Sequence, residues 1–410
     1  MRDIVLVRKP ILDVNQDLVA FELRFRTTVP DDTGTPNDMS DSANVIAHGF
    51  GEFGAHQVLG MHKGFIGVDA EVLNNDLAKL LPKDQVVLEL LDTLEITPEV
   101  IARCHELCCA GFSLAVDSAI ALRPDTQALL PLIKVVRIDL LATSIEQLGG
   151  ILDKLRSWPV QLLAANVDTH EQAKTCSALG FHLVQGYYFA RPQLLEGRRA
   201  DPSLPVLLKL LSLIATDADV SKIEDAIKPH PNLGYHLLRM VNSVACGLHR
   251  PVGSLRQALA ILGFRQLQRW VTLMLFTIND SGRGLPNPLL QVAALRGRMM
   301  EVVAKQEQPG NTDYQAQAFM TGILSLLEVL MGLPLAKIMA EMPLSLAVKS
   351  ALLARTGALG RNLSLAEAVE AGDETAISAI LQEFSLNRSD LSRIELQAIV
   401  WTNTLTQPAS

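Results

Sequence analysis

Residues 111–141 read GFSLAVDSAIALRPDTQALLPLIKVVRIDLL, with a strand pattern near each end of the stretch. FSLAVD and IKVVRIDLL are short apolar runs that contain β-branched residues, as buried strands do. Similar runs occur elsewhere in the first two hundred residues, at DIVLVRKP, LVAFELRF, GFIGVD, QVVLELL, VQLLAAN and FHLVQGYYF. Helical patterns such as ITPEVIARCHELCCA lie between most of them. About eight strands alternating with helices predict a (β/α)8-like barrel, with an open doubly wound sheet as the alternative.

A different pattern begins after RPQLLEGRRADPSLP, residues 191–205, whose prolines and arginines indicate a domain boundary. Beyond it, apolar residues recur at intervals of three and four, as in NLGYHLLRMVNS and SLRQALAILGFRQLQRWVTLMLF. This spacing is typical of amphipathic helices. We therefore predict a fold that is α/β plus all-α, with a barrel over residues 1–198 and an all-helical domain over residues 199–410.

Composition and charge exclude several classes of protein. The 410 residues are 49% hydrophobic and 20% charged, which is typical of globular domains, and the net charge of −8 disfavours nucleic-acid binding. No apolar run reaches the length of about 20 residues that a membrane span needs, and charges interrupt the first residues, so we expect a cytoplasmic protein that does not contact membranes. Cys104, His105, Cys108 and Cys109 share one predicted helix without a second ligand pair, and this does not predict zinc.

Acidic residues lie at or near the carboxyl ends of the predicted barrel strands; they are Glu22, Glu89, Asp92, Asp117, Asp139 and Asp168. A barrel brings such strand ends to one mouth, and carboxylate oxygens are the ligands that Mg²⁺ prefers. Structural alternatives exist for single members. Asp168 with Glu171 has capping-box spacing, and Asp139 fits an ion pair. Composition and spacing alone leave a metal site and these structural roles open.

The first half of the chain resembles the EAL domain family, which are barrel phosphodiesterases that hydrolyse the bacterial second messenger cyclic di-GMP. RKPILDVNQDLVAFELRFR, at residues 8–26, resembles the start of EAL–HDOD signalling proteins, and VVLELLD, FSLAVDS and LGFHLVQGYYFARP resemble later barrel strands. The resemblance implies vestigial ligand-binding positions. Glu22 stands at the signature glutamate, Arg26 at a phosphate-binding arginine, Glu89 at a metal ligand, Asp117 at the first of two paired aspartates and Gln185 at the glutamine of the last strand.

Four positions depart from the pattern that this resemblance implies. Gly67 replaces an asparagine metal ligand, Ser118 the second paired aspartate, Arg137 a lysine and Ala165 a closing glutamate. Active members activate water between two cations, whereas glycine and alanine offer no side-chain oxygen and a guanidinium does not act as a base. We therefore predict a degenerate EAL domain with no catalytic residues, which is not an enzyme. The same reasoning predicts no cofactor, with a vestigial Mg²⁺ site left open.

The second half resembles the HDOD domain, through HPNLGYHLLRMVNSVACGLHRPVGSLRQALAILGFRQLQRWVTLML and MTGILSLLEVLMGLPLAKIMAEMPLS. HDOD domains are similar to metal-dependent phosphohydrolases whose chemistry uses a His-Asp pair, and this chain has no adjacent His-Asp residues. The amphipathic helices offer grooves for a partner helix or loop, so we expect this half to bind signalling proteins. A homodimer is left open.

Three interpretations follow from the sequence. The chain is a non-catalytic bacterial signalling scaffold, a receptor that binds cyclic di-GMP, or a slow cyclic di-GMP phosphodiesterase that uses one metal ion. The missing ligands favour the first two interpretations. Only a binding measurement distinguishes those two.

Overall fold

The architecture comes from a computed structural model, which describes residues 4–27, 55–74, 78–79, 81–190, 203–242, 252, 254–277, 288–384 and 386–406. The chain divides into two compact units. One combines Met1–Arg191 with Ala368–Ser410, and the other spans Pro192–Glu367. The first unit contains eight strands, β1 to β8, with the bounds Ile4–Asp13, Leu18–Thr27, Lys63–Val68, Val86–Leu90, Ser113–Asp117, Ile133–Asp139, Gln161–Ala165 and Leu183–Gln185.

The eight strands form a closed barrel in chain order. Strand β1 runs antiparallel to both of its neighbours, β2 and β8. All the other neighbours pair in parallel. The barrel prediction is confirmed, and the open sheet is excluded because β1 and β8 are hydrogen-bonded to each other.

Short helices connect the strands of the barrel; they are α1 Ala55–Leu59, α2 Ala70–Asn74, α3 Pro98–Cys109, α4 Ser118–Ala121, α5 Ile145–Leu155 and α6 His170–Leu179. The cap of α6 lies one residue later than the sequence predicted. The Thr169 side chain accepts a hydrogen bond from the Gln172 backbone N–H, and the Gln172 side chain accepts bonds from the backbone N–H groups of Thr169 and Asp168. Asp168 and Glu171 therefore do not form the predicted capping box.

Every regular element that the structure describes after residue 203 is a helix, which confirms the all-α prediction. Helices α7 to α16 are Ser203–Ala215, Val220–Ile227, Pro231–Val241, Leu255–Thr277, Pro288–Glu307, Thr312–Leu324, Leu327–Met331, Leu335–Glu341, Leu346–Ala354 and Gly357–Ala371. Two more, α17 Glu374–Phe384 and α18 Arg388–Thr406, belong to the barrel unit. The boundaries at 1–198 and 199–410 stay predictions. Among the described helices, none is long and apolar enough to cross a membrane.

The last helix packs against the first strand of the barrel through a buried arginine. Arg8 on β1 donates from Nη1 to the Val58 carbonyl at 2.9 Å and to Asn403 Oδ1 at 3.3 Å. Its guanidinium carbon lies 3.6 Å from the centroid of the Phe21 ring. Burial lowers the pKa of Arg8 to about 9. The Asn403 amide also donates to the Gln57 carbonyl at 2.6 Å, so one side chain of α18 links β1 to α1.

We expect Asn403→Ala to lower the free energy of unfolding by about 2 kcal/mol, because it removes an acceptor from a buried guanidinium and a donor from a backbone carbonyl. Urea denaturation followed by tryptophan fluorescence measures the change. The matched control is Thr404→Ala, whose exposed side chain donates to the Trp401 carbonyl of the same helix. Equal stabilities of the two variants would show that α18 does not depend on this contact.

A second buried group of α18 makes stability depend on pH. Glu395 is 5% exposed, and its Oε2 has no hydrogen-bond partner within the described chain. Burial, with a smaller contribution from the nearby charge of Glu374, raises the pKa of Glu395 from its ordinary 4.5 to about 8. The folded chain therefore holds this proton over a pH range in which the unfolded chain releases it.

Stability linked to Glu395 is fully present below about pH 4.5 and is lost as the pH rises toward 8. Glu395→Gln keeps the neutral shape, so we expect it to stabilise the chain by about 2 kcal/mol at pH 8.5 and to have little effect at pH 5. Urea denaturation at both pH values measures this, with the exposed Glu383→Gln as control. If Glu395→Gln stabilised the chain equally at both pH values, the raised pKa of Glu395 would be contradicted.

Candidate active site at the barrel mouth

The inside of the barrel is filled by one apolar layer, to which every strand contributes. Its buried members are Ile11, Ala20, Phe65, Val87, Ala115, Val135 and Leu163, and Leu183 packs against it. Side chains alternate between the two faces of a strand, so the residue two positions further on points inward again. On strands β2 to β8 those next inward positions are Glu22, Gly67, Glu89, Asp117, Arg137, Ala165 and Gln185. The alternation therefore places seven of the predicted positions around the mouth.

Arg137 joins two acidic residues from different strands. Its Nη1 donates to Glu22 Oε1 at 3.2 Å and to Glu89 Oε1 at 3.1 Å. Both carboxylates are more than nine-tenths buried, and 12% of the arginine side chain is exposed. Burial by itself lowers the pKa of Arg137, but the attraction of Glu89 and Glu22 is stronger in sum, so the pKa is raised. The guanidinium stays charged at every physiological pH.

Two polar atoms of this cluster have no hydrogen-bond partner within the described part of the chain; they are Arg137 Nε and Gln185 Oε1. Gln185 is buried at the end of β8, and its amide nitrogen donates to Glu22 Oε2. Buried polar atoms are nearly always satisfied by protein, water or ligand. A donor and an acceptor thus remain at the mouth for a polar molecule.

The structure explains why Gly67 cannot be treated as an empty ligand position. A Cβ atom built at Gly67 would lie 2.9 Å from Cδ2 of Leu91, so the Leu91 side chain occupies that space. Leu91 follows Glu89 by two residues, directly after the end of β4. Sequence reasoning missed Leu91, although the same alternation that identified Glu89 could have found it.

The remaining predicted positions are placed as follows. Asp117 accepts a hydrogen bond from the Ala119 backbone N–H at 2.8 Å and caps α4, while its charge acts on Arg137. Ser118 is buried, with Oγ 3.4 Å from Asp117 Oδ1, and Ala165 is fully buried at the end of β7. Arg26 belongs to β2, and its side chain lies outside the described part of the structure.

Two further acids at strand ends do not join the cluster of Arg137 and its partners. Asp92 is exposed beyond β4. Asp139 accepts hydrogen bonds from the Leu141 backbone N–H and the Asn166 amide, each at 2.9 Å. Asp139 thus holds the loop after β6, which agrees with a structural role.

The mouth offers few side chains that could bind a metal ion. In the part of the chain that the structure describes, no three His, Cys, Asp or Glu side chains are grouped so that they could hold a metal ion. Glu22 and Glu89 nevertheless face one another across Arg137, and the three side chains together carry one unit of negative charge. Mg²⁺ sites are often built from one or two carboxylates completed by water and substrate phosphate. Glu22 and Glu89 are therefore the carboxylates that could contribute to a cation site at the mouth, completed by water and substrate.

The cysteine-rich helix α3 does not provide such a centre. Cys104 is buried, and burial raises the pKa of its thiol to about 12. Cys109 Sγ lies 3.6 Å from His105 Nδ1 on the helix surface, while Cys108 contacts the Leu132 carbonyl. The three thiols of α3 therefore lie in different environments and do not converge on one point.

Family models match both halves of the chain. The EAL domain model matches residues 68–192, and the HDOD domain model matches residues 202–351. The chain carries an EAL domain followed by an HDOD domain. The resemblance seen in the sequence is thereby confirmed, and the EAL domain indicates a role in cyclic di-GMP signalling.

Two curated proteins are similar to this EAL–HDOD chain along nearly its whole length. YuxH of Bacillus subtilis is 24% identical over 409 residues, covering 98% of each chain. The cyclic di-GMP phosphodiesterase CdgJ of Vibrio cholerae is 26% identical over 414 residues, covering 98% of this chain and 93% of CdgJ. A crystal structure of an EAL domain protein from Listeria monocytogenes covers 46% of this chain and 88% of its own, at 18% identity and a TM-score of 0.36.

The similarity to CdgJ contradicts our prediction that the EAL–HDOD chain is not an enzyme. A protein that aligns with almost the entire chain is named a phosphodiesterase. The prediction gave the four departures at Gly67, Ser118, Arg137 and Ala165 too much weight. The structure adds that Glu22 and Glu89 meet at the mouth, where the guanidinium of Arg137 joins them.

Proposed function

We propose that this chain is a cyclic di-GMP phosphodiesterase that binds the dinucleotide at the barrel mouth and works with one divalent cation. The observation that carries the proposal is the cluster in which Arg137 lies between Glu22 and Glu89. Phosphodiester hydrolysis needs positive charge near the phosphate oxygens and an acidic group that positions water. This cluster brings both kinds of group together, with both carboxylates buried.

The charges of the cluster favour a cation before a nucleotide. Two carboxylates and one guanidinium leave one negative charge, and this repels the phosphodiester anions of cyclic di-GMP. Glu22 and Glu89 would hold a divalent cation, which reverses the sign of the charge at the mouth. A cation there would neutralise phosphate oxygens and lower the pKa of a bound water.

Each side chain of the cluster then has a distinct task. Arg137, whose Nε has no protein partner within the described chain, can donate to a phosphate oxygen while Nη1 keeps its bonds to the glutamates. Gln185 fixes the orientation of Glu22 through its amide nitrogen and offers Oε1 as an acceptor for a water or a sugar hydroxyl. Leu91 closes the side of the mouth at Gly67 and excludes water there.

Calorimetric titration of the full chain with cyclic di-GMP tests the binding step. We expect saturable binding in Mg²⁺, and binding at least about tenfold weaker in a metal chelator and in Glu89→Gln. The control is Glu99→Gln, an exposed acid on α3. Absence of saturable binding in Mg²⁺, or Glu89→Gln binding as tightly as the unmodified chain, would contradict the proposal.

A second function, partner binding by the HDOD domain, is favoured by two exposed apolar side chains. Leu346 and Leu353 on α15 are 80% and 50% exposed, and their spacing of seven places them on one helix face. We propose that this face contacts a signalling protein. Because α17 and α18 belong to the barrel unit, the test uses the full chain and not residues 199–410 alone.

In an affinity capture from cell lysate, we expect Leu346→Glu combined with Leu353→Glu to lose proteins that the unmodified chain retains. Leu141→Glu is the matched control, because Leu141 is 75% exposed on the barrel unit. Sedimentation velocity of the same proteins reports whether the face joins two copies of the chain. Equal capture and equal sedimentation of all three proteins would contradict this role.

A further inference from the structure

The helical unit contains a pocket that neither the barrel site nor the partner face uses. Its volume is about 630 Å³, within the range of about 300–1,000 Å³ that small-molecule sites occupy. The pocket lies where α10 is interrupted. Gly263 has a φ of 69° and a ψ of 165°, so the helix breaks between Leu262 and Phe264. Residues of α10, α11 and α12 line it.

The charged residues of the pocket carry a surplus of positive charge. Glu301 accepts from Arg269 Nη1 at 2.8 Å with one carboxylate oxygen and from Arg298 Nη1 at 2.6 Å with the other. Two guanidiniums thus share one carboxylate, and Arg265 adds a further cation at the lining. Arg265, Arg269 and Glu301 line the pocket and together carry one positive charge, while Arg298 is not among the lining residues. This surplus favours an anion.

The other lining groups suit a ligand larger than an inorganic anion. Gln266 contributes an amide group, and Gln315 contributes its amide oxygen, since its Nε2 already donates to the Gln308 and Pro309 carbonyls. Such groups pair with neutral hydrogen-bonding edges. Phe319 presents an apolar surface, and the Arg269 guanidinium lies 3.9 Å from the centroid of its ring, which fixes the arginine within the wall. A guanidinium, amides and an aromatic wall together fit a molecule with an anionic group and a polar ring system.

We propose that this pocket binds a small organic anion with the size and polarity of a nucleoside monophosphate. The anionic group lies toward Arg265 and Arg269, and the ring system lies between the glutamine amides and the apolar wall at Phe319. The site is independent of the barrel mouth, because all its lining residues belong to the unit Pro192–Glu367. Failure of the phosphodiesterase proposal would therefore leave this one intact.

Calorimetric titration of the full chain with AMP and with GMP tests the pocket, with adenosine as the uncharged counterpart. We expect saturable binding of AMP, GMP or both at one site per chain, and adenosine binding at least about tenfold weaker than AMP, because it lacks the charged group. No saturable heat with either nucleotide would overturn the proposal. Adenosine binding as tightly as AMP would overturn it too.

Variants locate the binding site. Arg265→Ala and Gln266→Leu change exposed lining residues and should weaken nucleotide binding by about tenfold and about threefold, respectively. Ala316→Trp fills the cavity and should abolish binding. Arg256→Ala is the matched control on α10, because Arg256 pairs with Glu224 and does not line the pocket. Unchanged binding in both Arg265→Ala and Gln266→Leu would overturn the assignment, even if the tryptophan variant failed to fold.

Discussion

Replacing Arg137 by alanine should lower the free energy of unfolding by about 3–5 kcal/mol and weaken cyclic di-GMP binding by at least about 100-fold. The substitution removes the guanidinium that Glu22 and Glu89 share, and both carboxylates are more than nine-tenths buried. Their mutual repulsion then acts in a medium of low dielectric constant. Urea denaturation and calorimetric titration measure the two effects.

Two further measurements separate this charge effect from a simple loss of packing. Mg²⁺ should restore part of the stability of Arg137→Ala, because a cation between the glutamates replaces the missing charge. Adding Glu22→Gln to the alanine variant should also recover stability, because one of the two repelling charges is gone. The control is Arg156→Ala, an exposed arginine that pairs with Asp153 in the described part of the chain. Arg137→Ala as stable as this control would contradict the assigned role of the cluster.

Gly186→Ala should lower the free energy of unfolding by about 4 kcal/mol or more. Gly186 follows Gln185 with a φ of 152°, and a Cβ atom there would lie 1.9 Å from the Val167 carbonyl oxygen. Backbone cannot move away as a flexible side chain can, and Val167 is held by its hydrogen bond to the Gln185 carbonyl at 2.9 Å. The substitution would therefore displace the closing strand and Gln185 with it.

Gly180→Ala is the matched control for this prediction. Gly180 also has a positive φ, of 87°, at the end of α6, but a Cβ atom there would meet nothing within 4 Å. We expect Gly180→Ala to lower the free energy of unfolding by about 1 kcal/mol, because alanine adopts a left-handed backbone less readily than glycine. Thermal and urea denaturation of both variants measure the difference. If the two substitutions lowered the free energy of unfolding by similar amounts, the close approach of Gly186 to Val167 would not constrain the barrel.

The sequence predicted the barrel and most of its mouth because both depend on local alternation. Several strand patterns contain an acidic residue at or near their carboxyl end, and a closed barrel brings those ends together without further information. Glu22 and Glu89 were predicted from the sequence as acids at strand ends, whereas Arg137 and Gln185 were pointed out only by the resemblance to EAL domains. The structure joins all four by hydrogen bonds. Arg137 was interpreted only as a departure from a lysine. Arg137 pairs with Glu22 and Glu89, which lie on other strands. The spacing of residues along the sequence does not show which side chains meet across the barrel.

Contacts between residues distant along the chain could not be predicted in the same way. Arg8 and Asn403 are 395 positions apart, and nothing in the pattern of either segment indicates the other. The packing of the final helix against the first strand was therefore not predicted, and the compact unit that holds the barrel takes in Ala368–Ser410. The domain boundaries at 1–198 and 199–410 stay predictions. The pocket of the helical unit was missed for a related reason. It depends on one glycine with a positive φ inside an otherwise continuous helical pattern.

Turnover of cyclic di-GMP by the full chain tests the central claim most directly. Chromatography of the reaction products should reveal a linear dinucleotide in Mg²⁺, formed by attack of water on one phosphorus and cleavage of one phosphodiester bond. We predict that product formation stops in a metal chelator and in Glu22→Gln, and that it continues in the surface variant Glu99→Gln. Absence of product with Mg²⁺, or product formation that Glu22→Gln leaves unchanged, would contradict the assignment of catalysis to the barrel mouth.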